Sequence, residues 1–440
     1  MTLVGKAIGW IALYLLVAVA PLALALLGDR PPGRDVVVEV SVALGFVGLA
    51  LMGLQFVLVA RFEAVAAPFG EDSIVQYHRQ MGYVALALIL AHPALLFLSD
   101  IDMWQLLNPV TAPWRARFAV TSVVLLLVLI ATSAWRKQLR LRYEIWQVSH
   151  GVLSVAVIGL ALAHIQLVGY YVNQPWKQVV WVLMSAAFLG LLGWVRLVRP
   201  LFRLRTPWIV DEVRAERGNS WTVRLRPEGH DGIRFQPGQF GWVILGHGPF
   251  AATQHPFSFS SSAEGDDGSV EMTIKAAGDF TSSVGDIPVG TRAFLDGPHG
   301  VFTPDRNEGP GFVLIAGGVG ITPLMSIVRT MADRGDRRPV LLVYGSPTLE
   351  DATFLEELAE LETRLDLRVV HVLSSPDDDW EGERGYVDGD LLRRHLPPRH
   401  RYQQYFACGP APMLDVVEEI LAEELHVPAD KIHTERFVFV

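Results

Sequence analysis

The chain has 440 residues, of which 51% are hydrophobic and only 19% charged, and its mean hydropathy is +0.31. That is too long for one ordinary domain and too apolar for a wholly soluble protein. A single cysteine excludes an intramolecular disulfide framework, a Cys-rich zinc site, an iron–sulfur cluster and the paired-cysteine attachment of a c-type haem. The formal charge of -9 conceals two unlike halves: residues 1–205 carry 16 Lys and Arg against 9 Asp and Glu, net +7, and the remainder carries 21 against 37, net -16. No fixed-period repeat and no low-complexity tract point to a solenoid or a disordered tail.

Six apolar stretches, at about 7–27, 36–60, 77–98, 118–135, 145–168 and 178–195, each approach the ~20 residues that a helix needs to cross a bilayer core. Gly/Pro/Asn turns such as Gly28 to Gly33 and Asn173 to Pro175 separate them, so six transmembrane helices are expected. The first run is longer than the ~7–15 residues of a signal-peptide core, which makes it a retained anchor. Lys6, Arg61, Arg79, Arg136, Lys137, Arg140, Arg142, Arg196, Arg199, Arg203 and Arg205 fall on one side, and Arg30, Arg34, Arg115, Arg117 and Lys177 on the other. The positive-inside rule then puts the N-terminus and everything after residue 205 in the cytoplasm of a multi-pass cell-membrane protein. The third and fifth spans run in the same direction.

Those two spans carry His78 and His92, and His150 and His164, at one common separation of fourteen residues. Fourteen steps of ~100° stop about 40° short of four turns, so both histidines of a span face one way, about 21 Å apart along the axis. Two such helices present two tiers of paired imidazoles. Ionisable side chains inside a membrane are costly, turn into the bundle and mark function. Facing neutral imidazoles in an apolar bundle match bis-histidine ligation of a b-type haem, one for each tier, His78 with His150 and His92 with His164. A zinc site is disfavoured, because no Cys, Asp or Glu sits at helical ligand spacing beside them. Bis-histidine ligation leaves no open position on iron, so an acceptor is reduced at the haem edge. Gly82 and Gly151 lie where a macrocycle approaches a backbone, Pro93 follows His92 directly, and Ala85 and Val157 lie midway between the tiers.

From about 206 to 305 the pattern turns to short alternating runs such as Ser220 to Arg226 and Ser269 to Lys275, separated by Gly/Pro/Asp turns, the signature of a β-barrel or sandwich. Beyond 311, strand-like runs at 312–316, 340–344, 368–373 and 403–407 alternate with helical segments near 323–333, 351–363 and 411–425. That alternation describes an α/β domain on a parallel sheet. Gly311 to Met325 reads as a strand, a glycine turn and a helix start, with Thr322 as N-cap and Pro323 at the first helical position. Glycine N–H groups and the helix N-terminus suit a pyrophosphate.

Seven motifs stand in order behind the four-histidine bundle: Pro237 to Phe240, His255 to Ser261, Ile274 to Thr281, Asp296 to Gly300, Gly317 to Pro323, Cys408 to Pro410 and Glu435 to Phe437. In these the second half resembles the ferredoxin reductase superfamily, and nearly the whole chain resembles the NADPH oxidase and ferric reductase family. The resemblance implies a membrane all-α six-helix haem bundle (1–205), a β-barrel FAD-binding domain (206–305) and an α/β parallel-sheet NAD(P)-binding domain (306–440). It implies that His255, Pro256, Phe257 and Ser258 hold the FAD and that Lys275 and Thr281 bind its ribityl-pyrophosphate region. Gly317, Gly318, Gly320, Thr322 and Pro323 would cradle NADPH or NADH. Cys408 and Gly409 would lie by the nicotinamide, Phe437 would cover the flavin ring, and Glu435 would join Cys408 and Phe437 in catalysis. Pro347 stands where relatives that take NADPH carry an Arg able to fork onto a 2′-phosphate, which opens NADH as the donor. The chain also continues three residues past Phe437.

The expected function is a transmembrane NAD(P)H oxidoreductase that passes electrons through FAD and two b-type haems to an acceptor outside, with oxygen, giving superoxide, preferred over a ferric chelate. The flavin is needed because haem iron takes one electron at a time. Each electron moved outward is favoured by about 2.3 kcal/mol per 100 mV of inside-negative potential. A cytochrome subunit that hands electrons to a protein or quinone is the alternative of a different class. The expected partners are NAD(P)H, the acceptor and the lipid membrane, with no nucleic acid and no obligatory protein. Neither a calcium-binding loop nor an N-terminal extension is present, so constitutive activity is expected.

Overall fold

The computed structural model describes residues 3–28, 31–252 and 254–436; Arg30 and Phe437 therefore lie outside the described residues. The chain folds as two compact units, Met1–Arg199 and Pro200–Val440.

Six helices long and apolar enough to cross a membrane make up the first unit: α1 (Leu3–Leu26), α2 (Val36–Leu58), α3 (Glu71–Ser99), α4 (Trp114–Ala134), α5 (Tyr143–Val168) and α6 (Pro175–Gly193). Asp35 caps α2, its carboxylate accepting from the Val37 N–H at 2.8 Å, and Pro175 occupies the first turn of α6, where a missing N–H costs nothing. Trp114, Trp135 and Trp176 sit at helix ends, where an indole spans the boundary between lipid and water. The sixth helix does not stop near 195. It continues through a π-helical turn, Trp194–Val198, to Arg203, because backbone hydrogen bonding carries on after Arg196 and Arg199 end the apolar pattern. α3 likewise begins at Glu71, ahead of its apolar run. α3 packs along α2, and α5 packs along α4.

The second unit contains an antiparallel sheet and a parallel one. The antiparallel sheet has the order β4-β3-β6-β1-β2-β5, from β1 (Trp208–Glu216), β2 (Ser220–Pro227), β3 (Phe240–Leu245), β4 (His255–Ser258), β5 (Val270–Lys275) and β6 (Arg292–His299). Its outer strands meet at the bridge between Phe259 and Met272, bending the sheet around a core that includes Trp208, Val223, Phe259 and Met272. Pro256 sits in β4, a sheet-edge strand, where a missing N–H is tolerated.

The parallel sheet has the order β10-β9-β8-β7-β11-β12, built from β7 (Phe312–Gly317), β8 (Val340–Ser346), β9 (Leu367–Leu373), β10 (Glu383–Arg384), β11 (Gln404–Gly409) and β12 (Ile432–Arg436). Helices α7 (Ile321–Arg334), α8 (Leu355–Arg364), α9 (Gly389–His395) and α10 (Ala411–Glu419) connect them. The chain lays β8, β9 and β10 to one side of β7, then returns to place β11 and β12 on the other. The order therefore reverses between β7 and β11, and ligands of open α/β sheets bind at such a point, beyond the carboxyl ends of the strands. Six helices, a curled antiparallel sheet and a parallel sheet agree with the architecture expected from the sequence. The two-residue β10, the helix α9 and the terminal strand β12 were not foreseen.

Candidate functional site

α3 and α5 bring the four histidines together as two pairs. The His78 and His150 ring centroids are 6.5 Å apart at an interplanar angle of 55°, and those of His92 and His164 are 6.5 Å apart at 57°. Two metal–imidazole bonds of about 2 Å each, plus roughly 1 Å from each nitrogen to its ring centre, come to about 6 Å. Both pairs thus have the span of an ion held between two imidazoles. Among the described residues no group of three or more His, Cys, Asp or Glu could hold a metal ion, so each pair would offer only two ligands, and a group held between them would have to bring its other donors with it. A haem does so, and the residues present fit one.

The outer faces of the rings are tied down. His92 Nδ1 donates to the Ser41 carbonyl at 3.0 Å, while the Ser41 hydroxyl lies 2.9 Å from the same nitrogen and donates to the His92 carbonyl at 2.7 Å. His164 Nδ1 donates to the Arg115 carbonyl at 2.8 Å. The Ser133 hydroxyl gives its proton to the Leu129 carbonyl at 2.7 Å, so it accepts from His150 Nδ1 at 3.1 Å and from Trp146 Nε1 at 3.2 Å. In these three residues the proton sits on Nδ1, which leaves the Nε2 lone pair for a metal. Between the tiers the bundle closes: Ala85, Val157, Leu126 and Leu51 belong to a buried cluster with Tyr14 of α1 and Phe188 of α6 packed against it, so the aromatics of this cluster come from neither histidine helix. A Cβ added at Gly82 or Gly151 would meet nothing within 4 Å, which leaves room for a macrocycle beside His78 and His150. None of the second-layer acceptors was foreseen from sequence, because a serine or a main-chain carbonyl in a membrane helix carries no signal of its own.

In the antiparallel sheet, His255, Pro256, Phe257 and Ser258 lie on β4. His255 stacks on Phe280, with centroids 3.9 Å apart and planes at 13°, and Phe257 lies nearly parallel to the same ring at 6.3 Å. The alternation of a strand puts Ser258 on the other face. It is buried, and its Oγ has no hydrogen-bond partner among the described residues, which for a buried hydroxyl costs about 1–3 kcal/mol unless a ligand completes it. Lys275 closes β5, half-buried opposite Ser220. Thr281 Oγ1 accepts from the N–H groups of Ala277 and Gly278, both at 2.9 Å, and so shapes the turn after Lys275. Asp296, in the fourth motif, forms an ion pair with Arg203 and lies 3.7 Å from His299 Nε2.

In the parallel sheet, Gly317, Gly345 and Gly409 stand side by side at the carboxyl ends of β7, β8 and β11. The turn after β7 differs from the expected cap. Gly318–Gly320 form a 3-10 turn that runs straight into α7 at Ile321. Gly320 takes the cap position, so Thr322 and Pro323 are the second and third helical residues. The Thr322 hydroxyl donates back to the Val319 carbonyl at 2.9 Å. The reason is contact: Gly320 presses on β11 so closely that a Cβ there would lie 2.2 Å from the Cys408 carbonyl oxygen. Gly318, at φ +54, faces open space. Cys408 is fully buried on β11, beside Ala316 on one flank and Glu435 on the other, and Glu435 is buried as well. The site thus gathers Gly317 to Pro323, Cys408, Gly409 and Glu435 at the reversal of strand order.

Residues 44–161 match the model of the ferric reductase like transmembrane component, a span that takes in His78, His92 and His150 and ends just short of His164. Residues 314–419 match the oxidoreductase NAD-binding domain, which takes in the glycine turn and Cys408. The chain is 31% identical to NADH-cytochrome b5 reductase 1 of Candida glabrata over 45% of its own length and 71% of that protein. The chain belongs to the ferric reductase and NADPH oxidase family. It is also 34% identical to the reductase component of propane 2-monooxygenase from Rhodococcus jostii, over 49% of the chain and 59% of that protein. The ferredoxin reductase of carbazole 1,9a-dioxygenase aligns with 53% of the chain and 69% of its own length at 29% identity and a TM-score of 0.46. The family member described here is a multi-pass membrane protein and an NAD(P)H-dependent flavoprotein oxidoreductase, with NAD(P)H as a substrate and FAD as a cofactor.

Proposed function

We propose that this protein is a transmembrane NAD(P)H oxidase, organised as a di-haem membrane domain (1–205), an FAD domain (206–305) and an NAD(P) domain (306–440), which reduces an acceptor on the far side of the membrane. When bound, the flavin turns a hydride into single electrons and two b-type haems carry them across the bilayer. His78 with His150, and His92 with His164, hold the haems. The observation that carries the reading is the repeated 6.5 Å imidazole pairing in two tiers.

The chain's own residues divide the remaining work. Gly318 offers its backbone to the pyrophosphate of the dinucleotide, and Gly317 and Gly320 allow the close approach of β7, α7 and β11 that forms the cradle, with Thr322 and Pro323 opening the helix behind it. Cys408, Gly409 and Glu435 border the nicotinamide, and Phe437 covers the flavin ring. His255, Pro256, Phe257 and Ser258 hold the flavin, and Lys275 and Thr281 its ribityl-pyrophosphate region. A cytoplasmic N-terminus and cytoplasmic reductase domains are supported by the positive-inside distribution of Lys and Arg.

NADH is the preferred donor. Pro347 offers no cation to a 2′-phosphate, and the turn after β8 is held by Thr348 hydrogen-bonding the Asp351 carboxylate at 3.0 Å, an unfavourable neighbour for a second anion. The similar C. glabrata protein is likewise named an NADH-dependent reductase. Oxygen is the favoured acceptor, with no protein partner required, and a ferric chelate is the alternative. Delivery to a protein partner is the second reading, favoured by the R. jostii relative, a reductase component of a larger system.

The test is spectroscopic. Purified protein given NADH under argon should develop a b-type reduced spectrum equivalent to two haems, and His92→Leu should retain one. Admitting oxygen should reoxidise it with formation of superoxide, whereas reoxidation by ferric chelate alone would move the assignment to a ferric reductase. Absence of haem from the folded wild type would refute the reading.

A further inference from the structure

The turn that joins α4 to α5, residues 135–142, carries Arg136, Lys137, Arg140 and Arg142 and no acidic residue. Two hydrogen bonds fold it: the Leu141 N–H donates to the Arg136 carbonyl and the Arg140 N–H to the Lys137 carbonyl, both at 3.1 Å. That pair of bonds is a Schellman closure, which sets one residue in the left-handed region and so favours glycine there. α7 closes with the same two bonds, from Asp336 to Met331 and from Gly335 to Ala332, and its left-handed residue is Gly335 at φ +62. In the α4 turn that residue is Arg140, at φ +51, where a Cβ crowds the neighbouring carbonyl. Among the described residues the Arg140 side chain makes no hydrogen bond, ion pair or ring contact, so nothing inside the chain offsets the strain.

The turn also lies where a membrane ends. It follows directly on the apolar α4 and leads directly into α5. Trp135 and Leu139 are both more than half exposed, and Lys137, Arg140 and Arg142 are exposed as well. Arg136 turns inward, over Tyr143 and Trp146 at 5.5 and 5.8 Å, and Arg142 stays 3.8 Å from Glu144. Cations interleaved with an indole and a leucine match phosphate oxygens lying over acyl chains. A soluble acidic partner would match the charge and leave Trp135 and Leu139 uncovered.

We propose that turn 135–142 is a binding site for an anionic phospholipid, with Arg140 as its central contact. The guanidinium takes the headgroup phosphate in charge-assisted hydrogen bonds, Lys137 and Arg142 add to the attraction, and Trp135 and Leu139 enter the boundary of the acyl chains. Bound lipid supplies the interaction that the strained arginine lacks within the chain.

The experiment places the full-length protein in nanodiscs of phosphatidylcholine, alone or with phosphatidylglycerol, and reads thermal melting together with native mass spectrometry of the lipid that stays bound. Phosphatidylglycerol should raise the wild-type melting temperature, and inorganic phosphate added to the phosphatidylcholine sample should not. Arg140→Gly separates a lipid contact from a structural role by sign. With the strain relieved it should melt above wild type in phosphatidylcholine, yet gain less from phosphatidylglycerol and retain that lipid about fivefold less. Adding Lys137→Gln and Arg142→Gln to it should abolish the gain. An equal gain in wild type and Arg140→Gly overturns the proposal, as does equal stabilisation by inorganic phosphate. A wild type without preference for phosphatidylglycerol overturns it in favour of a soluble acidic partner. If the triple variant does not fold, Arg140→Gly alone decides.

Discussion

Gly320→Ala tests whether the nucleotide cradle depends on close approach between α7 and β11. The new Cβ would stand 2.2 Å from the Cys408 carbonyl oxygen, 2.5 Å from its carbon and 2.8 Å from the Gly409 nitrogen. All three are main-chain atoms of a central strand, so no side-chain rotation relieves the contact and the turn must move out by roughly 1 Å, an overpacking cost of about 1–3 kcal/mol. The displaced turn carries the N–H groups offered to the dinucleotide, and the same free energy lost from binding corresponds to about 5- to 150-fold. Gly335→Ala, at the far end of α7, is the control: its Cβ meets nothing within 4 Å, so it bears only the left-handed φ of +62, a cost of about 1 kcal/mol. The assay is NADH-dependent reduction of ferricyanide, a small acceptor accessible to the flavin, together with flavin content and thermal melting. Gly320→Ala should keep its flavin, melt earlier and show a raised KM for NADH, with Gly335→Ala keeping the wild-type KM. An unchanged KM and melting temperature in Gly320→Ala, or an equal rise of KM in Gly335→Ala, would refute the reasoning.

Ser258→Ala should weaken FAD retention about fivefold, the loss of one hydrogen bond of about 1 kcal/mol, yet leave the flavin-stripped protein as stable or more so, because a buried hydroxyl without a partner is removed; equilibrium dialysis and melting of the stripped protein check both signs. Pro347→Arg should raise kcat/KM for NADPH about tenfold relative to NADH by giving a 2′-phosphate a charge-assisted partner, and an unchanged ratio would place the specificity elsewhere. Burial holds the His433 imidazole down to about 4 from an ordinary 6.5. Between those values the unfolded chain binds the proton more readily, so this contribution is complete above about pH 6.5 and declines as the pH falls toward 4. Melting curves across that range should be flatter for His433→Gln than for wild type; parallel curves would remove His433 as a cause.

Much of this protein is determined by local pattern. The length of the apolar runs made the six spans legible, and the fourteen-residue spacing of the histidines put two on one face of each helix because helical rise and twist do not depend on the rest of the fold. The same holds for β7 and its glycine turn, where a strand, small residues and a helix follow one another directly. Short polar elements were not legible: Glu383–Arg384 becomes a strand only because β9 offers it a ladder. The cap at Thr322 was misread for a related reason, since the helix start is set by β11 pressing on Gly320, from 88 residues further along the chain. What holds each imidazole was decided by tertiary structure alone. Ser41 lies 51 residues from His92, Ser133 lies 17 from His150 and Arg115 lies 49 from His164. A histidine is legible in its own side chain, but the acceptor that holds its ring is a carbonyl or hydroxyl of no distinctive type, selected only when helix packing brings it within 3 Å or so.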